Sequence, residues 1–133
     1  MTGEPAFLSV EQVAALHRLA LVRHGGHDGL RDPAAFEGAV MHPRNVWFYA
    51  QGDLFDVAAA YAFHLAEAQA FLDGNKRTGL GAALVFLEGN GVAVPAATEG
   101  LFAAMIALAE RRMDKAELAA VLRRLGDAQE NPQ

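Results

Sequence analysis

The stretch FLDGNKRT, residues 71–78, decides how this chain is read. It places an acid, an amide, a lysine and an arginine in one short turn. On either side lie the alanine-rich segments VAAAYAFHLAEAQA (57–70) and GLGAALVFLEGNG (79–91). Both flanks are apolar on most faces, the pattern of helices buried in the middle of a domain. Leaving four strongly polar side chains between two core-forming segments carries a desolvation cost that an ordinary connection avoids. The position predicts an anion site, for phosphate above all, at the start of a buried helix, where unpaired N–H groups and the positive end of the helix dipole attract negative charge. Gly74 lets the backbone approach a phosphate closely. Lys76 and Arg77 add positive charge, and the arginine can bind phosphate oxygens in bidentate fashion. Asp73 would repel a bare phosphate but suits a magnesium ion that bridges phosphates. Asn75 either holds the loop or donates to a phosphate oxygen. The competing reading is a plain Asp-Gly-Asn helix–helix turn with Lys76 and Arg77 facing solvent; the burial expected on both sides weighs against it.

Working outward, the chain of 133 residues is long enough for one domain with a real core, and its alanine-dominated apolar content predicts an all-α fold. A formal charge of −5 argues against a general nucleic-acid binder. The absence of cysteine removes disulfides, thiolate zinc sites and a cysteine nucleophile. The start, MTGEPAFLSVEQ, has no basic region followed by an apolar run, and the longest apolar stretches are too short and too interrupted to span a bilayer. No membrane association and a bacterial cytoplasmic location are therefore expected.

About six helices are expected around a central buried pair. Ser9 to Gln12 has capping-box spacing and opens a helix that runs to the Gly25-Gly26 break. Asp32-Pro33 is an N-cap with proline at the first helical position, starting a short helix to about Met41. Pro43 is read as its stop, and residues 42–53 as an irregular or hairpin-like connection. Asp53 caps the first central helix, expected to reach Ala70, and the second runs from about Asn75 to Glu88 with a left-handed stop at Gly89-Asn90-Gly91. Thr98 is read as the start of a helix to about Arg111. The pair Asp114 and Glu117 is read as capping a last helix that ends at Gly126. The domain is thus placed at residues 1–126, with a polar tail at 127–133.

Residues 69–78, QAFLDGNKRT, resemble the active-site motif of the Fic/Doc family, on its Doc (death-on-curing) branch, usually written H-x-F-x-D-G/A-N-K-R-T. FLSVEQVAALH near the start, residues 29–45 and AALVFLEGNGV after the motif are also similar to Doc-type segments. Members that transfer AMP usually carry glycine at the position of Lys76 and a second arginine at that of Leu80, so Lys76 and Leu80 point to the Doc branch. The resemblance implies a Fic/Doc-like helical bundle with a small flap. It also implies a Mg²⁺-dependent reaction that moves the terminal phosphate of a nucleoside triphosphate such as ATP to a protein hydroxyl, in that branch a threonine of elongation factor Tu. By position, Asp73 would hold magnesium and Gly74, Asn75 and Lys76 would form the phosphate loop. Arg77 would clamp phosphates, and Phe71 would anchor the loop from beneath. His42, Pro43, Arg44 and Asn45 would lie by the flap that aligns the target. A small antitoxin is the implied partner.

One position departs from the pattern: Gln69 stands where the motif has its histidine, and Ala70 where proline commonly follows. Glutamine has no basic nitrogen at neutral pH, and loss of a positioned general base typically costs about 10²–10⁴-fold in rate. Gln69, Asp73, Lys76 and Arg77 remain the catalytic set if Gln69 orients a hydroxyl, or a water for simple hydrolysis, without first removing its proton. Otherwise the chain is a non-catalytic nucleotide- or protein-binding module on the same scaffold. AMP transfer is the further alternative. His64 and Glu67 fall off the face of Gln69 and are read as packing or surface residues. His17, His24, His27 and His42 show no ligand spacing, and His24-Gly-Gly-His27 reads as a turn. Arg31 and Asp32 sit either at the site rim or at a helix boundary, the latter favoured. Trp47, Phe48 and Tyr49 form either a core corner or a recognition patch. Arg111-Arg112 and Arg123-Arg124 are expected at solvated helix ends.

Overall fold

A computed structural model describes residues 3–95 and 100–130. The described residues form seven helices: α1 (Val10–His24), α2 (Pro33–Met41), α3 (Pro43–Phe48), α4 (Leu54–Ala68), α5 (Asn75–Gly89), α6 (Leu101–Ala109) and α7 (Lys115–Glu130). The fold is all-α; the β-type pairing found among these residues is a single antiparallel bridge between Leu30 and Phe71. None of the described helices is long and apolar enough to cross a membrane.

Local side-chain chemistry starts most of these helices. Ser9 and Gln12 close a reciprocal capping box on α1, and Asp53 and Asp56 close another on α4. The Asp32 carboxylate accepts from the Ala35 amide at the start of α2. Asp114 and Glu117 exchange two such bonds at the start of α7. Each cap satisfies backbone N–H groups that a helix leaves unpaired in its first turn.

Several boundaries differ from expectation, each for a local reason. α2 ends at Met41 as expected, but Pro43 also opens a further helix: it occupies the first turn of α3, where its missing N–H costs nothing. The connection at 42–53 is therefore partly helical rather than hairpin-like, and it supplies the seventh helix. Trp47 packs against the core, as the core-corner reading has it, while Tyr49 is 84% exposed. α4 stops at Ala68 because Gln69 turns left-handed, with φ 47°. α6 stops at Ala109, and the expected start at Thr98 lies outside the described residues. α7 runs through Gly126 to Glu130. Gly126 is not a stop; a Cβ there would sit 2.8 Å from the Phe55 ring, so glycine is what lets α7 pass over α4.

α4 is the centre of the molecule: Val57, Ala58, Ala59, Ala60, Tyr61 and Ala62 are all fully buried. α5 lies against it through Gly79, Ala82, Ala83 and Phe86. At Gly79 an added Cβ would fall 2.7 Å from the carbonyl oxygen of Ala62, so the two backbones are in near contact. The Tyr61 hydroxyl reaches the first described segment and accepts from the Leu8 amide at 2.9 Å. Arg123 joins α7 to the start of α4 through Asp53, at 2.9 Å, and is thus not merely a solvated helix end.

On the α7 side of α4, His64 is held among groups that disfavour its charge. Its Nε2 lies 3.2 Å from Lys115 Nζ, and its ring centroid lies 3.9 Å from that of His42. Burial first, then His42 and Lys115, push its pKa from 6.5 down to about 4. The unfolded chain therefore binds this proton before the folded chain does, and the folded state loses stability as pH falls from 6.5 towards 4. Urea midpoints should fall between pH 7.5 and pH 4.5, and His64→Gln should flatten that slope. An unchanged slope in the variant would assign the acid sensitivity to other groups.

Candidate active site

The loop at 69–74 joins the two central helices and is fixed from below and from the side. Phe71 is buried and stacks on His17, with ring centroids 3.6 Å apart, while Phe36 meets it edge-on at 4.9 Å. His17 is itself 2% exposed and donates from Nε2 to the Asp73 carbonyl at 2.8 Å. Asn75 grips Phe71 at both ends: its Oδ1 accepts from the Phe71 amide at 3.1 Å, and its Nδ2 donates to the Phe71 carbonyl at 2.9 Å. Of the two roles open to the Asn75 side chain, it performs the first, holding the loop.

A second segment, Gly29 to Asp32, runs beside the loop as a short strand-like partner. The Arg31 and Asp32 amides both donate to the Ala70 carbonyl, at 2.7 and 3.1 Å, and the Leu72 amide donates to the Gly29 carbonyl at 3.0 Å. The Arg31 guanidinium donates to the Gln69 carbonyl at 2.7 Å. Asp32 is a helix cap, as favoured, whereas Arg31 reaches the motif backbone.

This framework leaves the groups that face the cleft available. Gly74 is the N-cap of α5, with φ 85°, a left-handed conformation that residues with a Cβ rarely adopt. Unlike Ser9, Asp32 and Asp53, it brings no side chain to cap its helix, so the first N–H groups of α5 are open to an anion. They border a cleft of about 300 Å³ lined by Gly26, Asp73, Gly74, Lys76, Arg77 and Phe102 among others. Lys76 is exposed. Arg77 lies with its guanidinium carbon 4.0 Å from the Phe102 ring centroid and Nη1 3.3 Å from His24 Nε2. Neither cation forms an ion pair among the described residues. Asp73 is held by one oxygen: Oδ2 accepts from the His27 amide at 2.7 Å, and Oδ1 accepts no hydrogen bond among the described residues.

Of the residues singled out by sequence, Asp73, Gly74, Asn75, Lys76 and Arg77 line one cleft. Gln69 does not line it; it is exposed, with its carbonyl tied to Arg31. His42, Pro43, Arg44 and Asn45 are at the α2–α3 junction and do not line this cleft. His42 lies tilted against His64, and Arg44 lies over the Phe7 ring at 5.0 Å. Three residues at the site escaped the sequence reading. His17 falls on the stripe of Val13 and Leu21 at four-residue spacing, the signal that places it inward. His24 and Phe102 carry no comparable signal, because separate helices bring them to Arg77.

A sequence profile of the Fic/DOC family matches residues 7–87, a span that includes the loop, the Gly29–Asp32 segment, α4 and α5 as far as Leu87. The chain therefore belongs to the Fic/DOC family. It is similar to the protein kinase Doc of Escherichia phage P1, at 40% identity over 88 residues, which is 65% of this chain and 70% of that protein. The resemblance to the death-on-curing branch is thereby borne out.

The grip of Asn75 on Phe71 carries a stability prediction. Asn75→Asp keeps the acceptor for the Phe71 amide but sets a carboxylate oxygen against the Phe71 carbonyl. The variant should lose about 1–3 kcal/mol, read from urea midpoints at pH 7. A variant as stable as the parent would show that the loop is held by the His17 and Gly29–Asp32 contacts alone.

Proposed function

We propose that this chain is a Doc-type, Mg-nucleotide-dependent phosphotransferase that acts on a serine or threonine hydroxyl of a protein. The observation that carries the reading is the uncapped start of α5, set beside two cations that form no ion pair among the described residues and a half-tethered carboxylate. In this reading the open amides after Gly74, with Lys76 and Arg77, hold the phosphates of a nucleoside triphosphate. The target oxygen forms a bond to the terminal phosphorus, the bond from that phosphorus to the bridging oxygen breaks, and a nucleoside diphosphate leaves. Such transfers depend chiefly on positioning and on stabilising charge spread over the phosphoryl oxygens.

Magnesium fits the residues present as an ion that arrives with its nucleotide. The described residues contain no cluster of three His, Cys, Asp or Glu side chains to hold one alone. Magnesium commonly takes one or two carboxylates together with substrate phosphates, and Asp73 offers Oδ1 for that purpose. Bound there, it would supply charge neutralisation on the phosphates.

Gln69 supports a slower reaction than a histidine would. Its exposed amide can orient the target hydroxyl but cannot take up the proton, which passes to solvent or to the phosphate. The same residue favours a second reading, a nucleotide- or protein-binding module without transfer; hydrolysis of the nucleotide and AMP transfer are the other reactions open to this cleft. Lys76 and Leu80, which resemble the Doc branch, favour phosphate over AMP. The family resemblance extends the proposal to a cytoplasmic protein target such as a translation factor and to an antitoxin partner.

Label transfer in a bacterial lysate with Mg²⁺ tests the reading. A protein band labelled from the γ-phosphate of ATP and not from the α-phosphate, and lost in Asp73→Ala, is the expected result. A band from the α-phosphate would instead mean nucleotide transfer. No band from either, with nucleotide still bound, would leave the binding module. Gln69→His should raise transfer by about 10²–10⁴-fold and increase growth arrest on expression. Growth equal to the parent at matched protein levels would remove Gln69 as the limiting residue.

A further inference from the structure

Arg77 has a neighbour that its phosphate role does not account for. His24 is the last residue of α1 and borders two clefts at once. One is the cleft over the start of α5. The other is a more apolar cleft of about 360 Å³ between α1 and α5, and Ala20, His24 and Arg77 line both. Arginine has donors only. The 3.3 Å contact between Arg77 Nη1 and His24 Nε2 therefore makes Nε2 the acceptor and puts the ring proton on Nδ1. The free protein thus rests the Arg77 guanidinium on the His24 imidazole and on the Phe102 ring.

An anion entering the cleft inverts this arrangement. It competes for the Arg77 guanidinium and releases Nε2 from its acceptor role. Phosphate oxygens only accept from such partners, so a ring facing them gains a bond by carrying a proton on Nε2 as well. We propose that His24 is part of the anion site and takes up one proton from solvent as a polyphosphate binds. No covalent bond changes.

The charges around the ring set the balance. Arg23 on α1 and Lys76 and Arg77 on α5 oppose its protonation; Asp73 in the loop and Glu88 on α5 favour it. So does the C-terminal end of α1, whose last turn contains His24. The entering polyphosphate is the one added charge, and it acts in favour.

This inference rests on the anion reading of the cleft, and its test separates the two. Inorganic tripolyphosphate is titrated calorimetrically into the parent and into His24→Gln, which keeps an acceptor for Arg77 but cannot gain a proton. Each titration at pH 7 uses two buffers of different ionisation enthalpy. Subtracting the variant cancels the titration of tripolyphosphate itself. Proton uptake should be larger in the parent, and the parent's affinity relative to the variant should rise about fivefold to tenfold from pH 8 to pH 6. Equal uptake and parallel pH profiles, with both proteins binding, would overturn the role of His24 and leave the anion site standing. No binding to the parent would overturn both. As a check independent of the variant, the His24 imidazole resonances of the parent should move towards the imidazolium position on saturation at pH 7. Resonances that stay in place would also overturn the proposal.

Discussion

The near contact of α4 with α5 at Ala62 and Gly79 is the constraint from which the rest of the molecule follows. An added Cβ at Gly79 would fall 2.7 Å from the Ala62 carbonyl oxygen and 3.3 Å from Met105. Helices approach this closely only where small residues face each other, and here Ala58, Ala59, Ala62, Ala82 and Ala83 are all fully buried. With the two helices pressed together, the chain has only residues 69–74 in which to leave one and enter the other. The left-handed turns at Gln69 and Gly74 answer that demand, since they reverse direction within few residues.

The same crowding explains how labour is divided within the loop. Its inward groups bind one another: Phe71 to His17 and Phe36, Asn75 to the Phe71 backbone, and the Asp73 carbonyl to His17. Its outward groups are held at one end and open at the other. Asp73 keeps one oxygen on the His27 amide, and Arg77 rests on His24 and Phe102, with no carboxylate partner among the described residues. For the proposed anion, such a loop would require little reordering, which lowers the entropic cost of binding. Thr78, directly below, is 1% exposed and its hydroxyl has no hydrogen-bond partner among the described residues. A hydroxyl in that state costs about 1–3 kcal/mol relative to a paired one, so this face of α5 carries a penalty that the packing around it offsets.

The elements that were legible in the chain are those whose signals are local. Ser9 with Gln12, Asp32 with Pro33, Asp53, and Asp114 with Glu117 announce helix starts because a cap is made within a few residues of the amides it satisfies. The misread boundaries are those where a local sign has two meanings. Pro43 can stop a helix or open one, and at the α2–α3 junction it does both. Gly126 can end a helix or let one pass close to a neighbour, and Phe55 beneath it decides for passage.

By itself, then, the sequence determined the helical class, the buried central pair and the identity of the polar turn between them, because periodicity, capping and desolvation act over short stretches of chain. Tertiary structure alone decided what surrounds that turn. His17 from α1, Arg31 from the segment before α2, His24 from the end of α1 and Phe102 from α6 converge on it from 38 to 56 positions away, except Phe102, which lies downstream of Arg77. Contacts between such distant residues depend on how whole helices pack, and apart from the four-residue spacing that turns His17 inward, no pattern along the chain encodes them.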